Sequence, residues 1–110
     1  MNETCAEMIS QFARNEAVCA KTLSLLQLIS GKVRFRILCL LSRGPFCVQE
    51  IAQVVGHGSL SNTSQQLKIL RLAGLIERHR DEQKLIYRLA DDRVHTLIGF
   101  LRNEFLETKP

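Results

Sequence analysis

Residues 61–68 carry side chains that could bind nucleic acid. The stretch contains no Asp or Glu, and its candidate contacts are Ser61, Asn62, Ser64, Gln65, Gln66 and Lys68. Side-chain amides can hydrogen-bond to base edges in the major groove of DNA, whereas serine and lysine can reach phosphates. The alternative is a merely solvated polar face. DNA is the better explanation, because this face is free of acidic residues and a basic segment follows it.

The basic segment after this polar stretch favours an anionic partner. Between residues 68 and 88, six basic residues stand against three acidic ones. We expect further DNA contacts here from Arg78, Arg80, Gln83 and Lys84. A second basic cluster, Lys32, Arg34 and Arg36, has no acidic neighbour. The formal net charge of the chain is only +4, so the uneven distribution of charge matters more than its total.

Hydrophobic periodicity predicts the elements that position these residues. Apolar residues recur at intervals of three, four or seven, as on one face of an α-helix. They predict helices over residues 5–29, between Ser30 and Gly44, and over residues 47–55, 59–73 and 91–107. Before the last helix the period changes to two, which predicts strands over residues 75–80 and 84–89 joined by a turn at 81–83. The order is α-α-α-α-β-β-α.

The helix over residues 59–73 has two different faces. At about 100° per residue, a helical wheel turns Leu60, Ser64, Leu67 and Leu70 inward and leaves the other polar residues outside. Ser64 is nevertheless kept among the candidate DNA contacts. The preceding helix, over residues 47–55, has an apolar inner face that can pack across this one.

This arrangement is typical of a winged helix-turn-helix. Two short helices joined by a glycine turn make the helix-turn-helix over residues 47–74, and the hairpin over residues 75–89 makes the wing. We therefore predict a mostly α-helical fold with a small β-hairpin, forming a single domain over residues 1–110. The second helix of such a motif enters the major groove of double-stranded DNA.

The segment from Ser61 to Ile76 resembles the recognition-helix motif of the ArsR/SmtB family of bacterial repressors. That motif reads Ser-x-x-Ser-x-x-Leu followed by Leu-x-x-x-Gly-Leu-Val, and this segment reads SNTSQQLKILRLAGLI. Residues 35–38, 47–52 and 80–89 are similar to the family as well. The resemblance covers roughly residues 18–106. One departure is Ser30-Gly31-Lys32, where the family usually has Ser-His-Pro.

The resemblance implies a homodimeric repressor that binds an inverted-repeat operator and releases it when an inducer binds. In this family the first and last helices form the dimer interface, which here would be residues 1–30 and 91–107. Both segments offer apolar stripes, over residues 8–29 and 94–105, that a monomer of this size would struggle to cover. The family's inducers are soft metals, metalloids and reactive sulfur species.

One metal site of the family lies at the start of the third helix, where thiolates bind soft ions. Cys47 stands at its first cysteine position, whereas Gln49 occupies the second. A further thiolate could come from Cys5 or Cys19, which lie within about 40° of one face of a continuous helix. The alternative is a packing role for Cys47. The cofactor is thus either a soft metal or metalloid ion at these thiolates or none.

A second family metal site lies on the last helix. Its matching positions here are Asp91, Arg93, Glu104 and Glu107. Arg93 is a cation that cannot ligate a metal, and no imidazole remains to bind zinc. We therefore expect no metal at this position.

Cys39 is a candidate for redox or sulfur sensing. Some members of the family use one cysteine in the second helix together with a partner near the end of the last helix. The partner position falls on Leu106, so no disulfide can form by that route. The alternative is a buried thiol among leucines, with a raised pKa and low reactivity.

Several other classes of protein are excluded. The chain has no glycine-rich phosphate loop and no Ser-His-Asp or Cys-His set in a catalytic context, so we predict no enzyme. Every apolar run is too short for the roughly 18–20 residues that span a membrane. Four cysteines without a Cys-x-x-Cys pair indicate a reduced, cytoplasmic chain. The competing hypothesis is a winged-helix module that binds protein, which should show an apolar patch over residues 61–68.

Overall fold

The computed structural model of the chain describes residues 1–56 and 59–106. Its α-helices are α1 (Glu3–Arg14), α2 (Glu16–Ile29), α3 (Lys32–Leu41), α4 (Val48–Val55), α5 (Leu60–Leu72) and α6 (Asp92–Leu101). Its strands are β1 (Phe46–Cys47), β2 (Ile76–Asp81) and β3 (Lys84–Leu89). A π-helical turn, Arg102–Leu106, continues α6. None of the helices in these described residues is both long and apolar enough to cross a membrane.

The chain divides into two compact units, residues 1–30 and the remainder from Gly31 onward. The first unit consists of α1 and α2, so the single helix predicted over residues 5–29 is wrong. The break lies at Asn15, whose side-chain amide donates a hydrogen bond to the Gln11 carbonyl at 2.9 Å. An asparagine that bonds to nearby backbone competes with helical hydrogen bonds. Cys5 and Cys19 consequently lie on different helices, and the argument that placed them on one face does not hold.

The first unit leaves many large apolar side chains exposed. They are Met8, Ile9, Phe12, Val18, Leu23 and Leu26. Such a concentration of uncovered apolar surface is unusual for a monomeric chain and marks an interaction surface.

Helices α3 to α6 and the sheet enclose the core of the second unit. Its fully buried side chains include Ile37, Leu38, Ile51, Leu67, Leu70 and Ile98. The strands form an antiparallel sheet in the order β1-β3-β2. The predicted mostly α-helical fold with a small β-hairpin is confirmed. Strand β1 was not predicted, because its two residues, which pair with Ile86 and Tyr87 of β3, are too few to show a period.

The wing hairpin is tighter than the predicted turn over residues 81–83. Asp81 pairs with Lys84 across the hairpin, so only residues 82 and 83 form the loop. Glu82 has a φ of 57°, which is the left-handed conformation that tight hairpin loops often require. The tip of the wing is therefore short.

The helix-turn-helix depends on a close approach between α4 and α5. A side chain at Gly56 would collide with the hydroxyl of Thr63, which is fully buried on α5. The buried stripe of α5 runs through Thr63, Leu67 and Leu70. The inward placement of Leu60 and Ser64 is wrong, since both side chains are exposed. Gly56 thus lies against the buried side of α5.

We predict that Leu67→Ala lowers the free energy of unfolding by about 2–5 kcal/mol, because Leu67 is fully buried and its truncation leaves a cavity. Leu72→Ala is the matched control on the same helix. Leu72 is 71% exposed, so its truncation should change stability by no more than about 0.5 kcal/mol. Urea unfolding at one protein concentration measures both variants. Equal losses would contradict this assignment of the faces of α5.

Candidate nucleic-acid interface

Helix α5 presents an exposed polar surface away from its buried stripe. The exposed members of the predicted set are Ser61, Asn62, Ser64, Gln65 and Lys68, and Gln66 is half-buried. The helix begins after Ser59, whose hydroxyl accepts a hydrogen bond from the Asn62 backbone N–H at 3.4 Å. No acidic residue occurs within α5. Amide, hydroxyl and ammonium groups thus form a surface that suits contact with bases and phosphates.

Gln66 is held by a residue outside the helix-turn-helix. The guanidinium Nη1 of Arg34, on α3, donates a hydrogen bond to Gln66 Oε1 at 2.9 Å. One turn earlier on α5, Asn62 Oδ1 lies 3.5 Å from Gln66 Nε2. Arg34, Gln66 and Asn62 therefore form a connected polar group that leads from α3 to the exposed face of α5.

Arg34 had no predicted role. The one sequence signal was its place in the acid-free basic cluster at residues 32–36, which indicates charge but not direction. The contact joins residues that are 32 positions apart, and helical periodicity within either segment does not specify it.

Strand alternation divides the predicted wing contacts between two faces. Arg78 and Arg80 share the face of β2 that pairs with Tyr87 and Leu85. Arg78 Nη1 donates a hydrogen bond to the Tyr87 hydroxyl at 3.3 Å. Arg80 is exposed closer to the tip.

Lys84 lies on the other face of the hairpin, at the first position of β3. On that face the Nε atom of Arg88 and the Oε1 atom of Glu77 form an ion pair at 2.8 Å, so much of the positive charge of Arg88 is already balanced. Gln83 is exposed in the loop. The tip of the wing thus carries one basic side chain on each face, Arg80 and Lys84, together with the acidic Asp81 and Glu82.

Cys47 serves as the cap of α4. Its side chain accepts from the backbone N–H of Glu50, and its own backbone N–H donates to Glu50 Oε1 at 2.9 Å. This backbone hydrogen bond is the main reason that the pKa of Glu50 is lowered. Cys47 is only 4% exposed. Its sulfur therefore already has a structural role at a helix start.

The cysteines predicted to bind metal are not brought together within a unit. Cys5 is exposed on α1 and Cys19 is half-buried on α2, whereas Cys47 belongs to the second unit. Across residues 1–56 and 59–106, no three His, Cys, Asp or Glu side chains are grouped so that they could hold a metal ion. The donor set of either unit alone does not fit a metal.

Asp91 and Arg93 form an ion pair at the start of α6. The Arg93 Nη2 atom lies 2.9 Å from Asp91 Oδ2, and the Arg93 backbone N–H donates to Asp91 Oδ1 at 2.8 Å. The hydrogen bonds from the Arg93 side chain and backbone hold the pKa of Asp91 at about 2. Asp91 is thus engaged as a helix cap with a cationic partner.

Cys39 lines a cavity of about 430 Å³ in the second unit. Other residues around this cavity are Phe35, Leu40, Val55, Arg102 and Leu106. Burial raises the pKa of the Cys39 thiol, and the positive charge of Arg102 offsets this only in part. Arg102 Nη1 lies 2.6 Å from the Ser42 hydroxyl. Leu106, at the position where a second cysteine was considered, lines the same cavity.

Comparison with known proteins identifies relatives among bacterial regulators. A sequence profile described as "Bacterial regulatory protein, arsR family" matches residues 31–78, which include α3, α4 and α5. The chain is 35% identical over 82 residues to the biofilm growth-associated repressor of Xylella fastidiosa (strain Temecula1), covering 74% of this chain and 71% of that protein. It is 33% identical over 98 residues to the HTH-type transcriptional regulator YgaV of Escherichia coli, covering 88% and 98%.

A solved structure extends this similarity to three dimensions. The homodimeric winged helix-turn-helix DNA-binding domain of a possible ArsR-family transcriptional regulator from Mycobacterium bovis matches with a TM-score of 0.71 and 28% identity. The match covers 82% of this chain and 82% of that one. These relatives are transcriptional regulators, not enzymes.

We predict that the exposed amide of Gln65 and the guanidinium of Arg80 contribute differently to DNA binding. Gln65→Ala should weaken binding to a duplex selected from a random pool by roughly 5- to 150-fold, because an amide can read bases. It should affect random-sequence DNA much less. Arg80→Ala should weaken both by similar factors and make the salt dependence shallower, since a wing arginine mainly meets phosphates.

Fluorescence anisotropy with both duplexes at several salt concentrations measures these effects. If the two variants lost the same factor on both duplexes, the division between base reading and phosphate contact would be refuted.

Proposed function

The chain belongs to the arsR family of bacterial regulatory proteins, and on this premise we propose that it is a homodimeric repressor of transcription. Each protomer places α5 in the major groove of one half of an inverted-repeat operator, and the wing lies along the adjacent phosphates. The observation that carries this proposal is the exposed, acid-free polar surface of α5 beside a wing that exposes Arg80 and Lys84 at its tip.

Exposed apolar surface supports the homodimer. In the second unit, Phe100 of α6 is 57% exposed and packs edge-to-face on Phe105, which is 71% exposed. The first unit exposes the apolar side chains of α1 and α2 described above. The related domain from Mycobacterium bovis is described as homodimeric. A two-fold dimer doubles the formal charge of +4 to +8 and presents two copies of α5 to two half-sites.

The composition of α5 weighs against the competing protein-binding module. The exposed side chains over residues 61–68 are all polar. The exposed apolar side chains of α5, Leu60, Ile69 and Leu72, lie outside that stretch. A docking surface for a protein would instead concentrate apolar side chains near its centre. A protein that binds chromosomal DNA acts in the bacterial cytoplasm, which we propose as its location.

Cys39 is the inducer site that we favour. It borders a cavity large enough for a small molecule, and it lies on α3, the helix that also supplies Arg34 to α5. In the proposed step, the Cys39 thiolate attacks the outer sulfur of a persulfide RSSH. The S–S bond of the persulfide breaks, RS⁻ leaves, and Cys39 becomes a persulfide.

A soft metal at Cys47 is the less favourable inducer site. It would require thiolates from beyond the second unit, such as Cys5 or Cys19, and it would have to displace the Cys47 sulfur from its capping contact with α4. We therefore derive no step through a metal.

We predict that Phe100→Glu converts the dimer to a monomer and lowers affinity for the inverted repeat by tenfold or more. A carboxylate in an apolar interface is costly to desolvate, whereas the same charge on a monomer surface is harmless. Leu72→Glu is the control, because Leu72 is comparably exposed but lies on α5; it should remain dimeric. Sedimentation velocity measures both. A dimeric Phe100→Glu protein of native helix content would refute this interface.

We also predict that glutathione persulfide releases the reduced protein from its operator and that Cys39→Ser abolishes this release. Because the pKa of Cys39 is raised, the thiolate fraction should still be increasing at pH 9, and the rate of release should increase steadily between pH 7 and pH 9. Cys47→Ser should respond like the wild-type protein, since serine is a good helix cap. The proposal that Cys39 is the inducer site would be refuted if glutathione persulfide released Cys39→Ser from the operator normally. It would also be refuted if cadmium caused release that requires Cys47.

A further inference from the structure

The direction of the Gln66 amide follows from the chemistry of its partner. Arg34 Nη1 lies 2.9 Å from Gln66 Oε1, and both side chains are half-buried. A guanidinium has only donors and cannot accept a hydrogen bond. The oxygen of the Gln66 amide must therefore face Arg34, and the NH₂ group must point the other way.

The NH₂ group of Gln66 is directed toward Asn62, one turn earlier on α5. Gln66 Nε2 lies 3.5 Å from Asn62 Oδ1, which is a longer and weaker contact than the one with Arg34. With Gln66 as donor, the Asn62 oxygen is the acceptor, and the Asn62 NH₂ group is the part left to solvent. Because Arg34 can only donate, each of the two amides accepts through its oxygen, and the Asn62 NH₂ group is the donor at the exposed face of α5.

This polarity changes what the two amides can read. A glutamine or asparagine that is free to turn can pair with adenine, because its oxygen accepts from adenine N6–H and its NH₂ donates to N7. An amide whose oxygen faces Arg34 instead turns its NH₂ group toward the exposed face of α5, so it offers donors there. In the major groove, a donor matches guanine O6 and thymine O4, whereas adenine and cytosine present amino groups at those positions. N7 is an acceptor in both purines and does not distinguish them.

We propose that Arg34 is a specificity-determining residue that holds the Gln66 and Asn62 amides with their donors toward DNA, so that α5 selects guanine or thymine over adenine or cytosine at the base that Gln66 meets. Arg34 acts through Gln66 as a positioning residue and needs no base contact of its own. The inference rests on the proposed function, since it specifies how the same surface of α5 reads DNA.

Gln65 provides an internal contrast. It is the neighbouring amide on α5, it is exposed, and within the described residues it has no arginine partner comparable to Arg34. Its amide is free to turn. The selection of guanine or thymine over adenine or cytosine should therefore occur at the base that Gln66 meets and not at the base that Gln65 meets.

The test is in-vitro selection from a random duplex pool with the full chain and its variants. The Gln66 position is defined as the position whose base preference is lost in Gln66→Met. There the wild-type protein should prefer guanine or thymine over adenine or cytosine by roughly 5- to 150-fold. Arg34→Met keeps an apolar stem but removes the guanidinium, so Gln66 can turn. This variant should lose most of that preference by gaining adenine, with the rest of the selected site unchanged.

Gln66→Glu is the matched control, because a carboxylate can still accept from Arg34 but has no donor for a base. It should reverse the preference toward bases that carry an amino group.

Several results would count against the proposal. It is overturned if the wild-type protein selects adenine or cytosine at the Gln66 position, or if Arg34→Met keeps the wild-type preference there. A pool in which no sequence is enriched by the wild-type protein would instead contradict the proposed function itself, and the inference with it. A folded Arg34→Met protein with uniformly weaker binding and an unchanged preference would show that Arg34 is only a structural or phosphate-contacting residue.

Discussion

The contact between Gly56 and Thr63 is the constraint on which the DNA-facing surface depends. Helix α4 can lie against α5 only because Gly56 presents no side chain to the buried hydroxyl of Thr63. The approach lies on the side of α5 where Thr63, Leu67 and Leu70 are buried in the core. Once this stripe is buried, helical geometry leaves the side chains of residues 61, 62, 65 and 68 exposed. The polar surface is therefore a consequence of the packing on the opposite side.

A second contact, between α3 and α5, orients one of the amides on this surface. Ile37 and Leu38 anchor α3 in the core, and Arg34 on the same helix holds the amide of Gln66. Cys39 also lies on α3 and faces a cavity rather than the packed interior. Cys39 and the arginine that orients Gln66 thus lie on the same helix.

Local patterns in the sequence were sufficient for most of the elements. The change of period from 3.6 to 2 after Gly74 marks the wing, and strand β3 begins and ends where the alternation predicts. The break at Asn15 was missed because apolar spacing continues through it, while the asparagine side chain bonds to the backbone of α1. Ser64 was predicted to point inward but is exposed, because a helical wheel does not show which side of the helix packs against the other elements. Arg34 was missed because its contact with Gln66 exists only after α3 and α5 have packed.

The central claim is that residues 61–68 and the wing tip are the surface that meets DNA. An NMR titration of the ¹⁵N-labelled protein with a selected inverted-repeat duplex tests it most directly, because each backbone and side-chain amide reports separately. The account predicts that the largest shifts fall on the side-chain amides of Asn62, Gln65 and Gln66 and on residues 80–84 of the wing, with little change at the exposed apolar residues of α1. Large shifts confined to α1 or α6, with the amides of α5 unmoved, would contradict it.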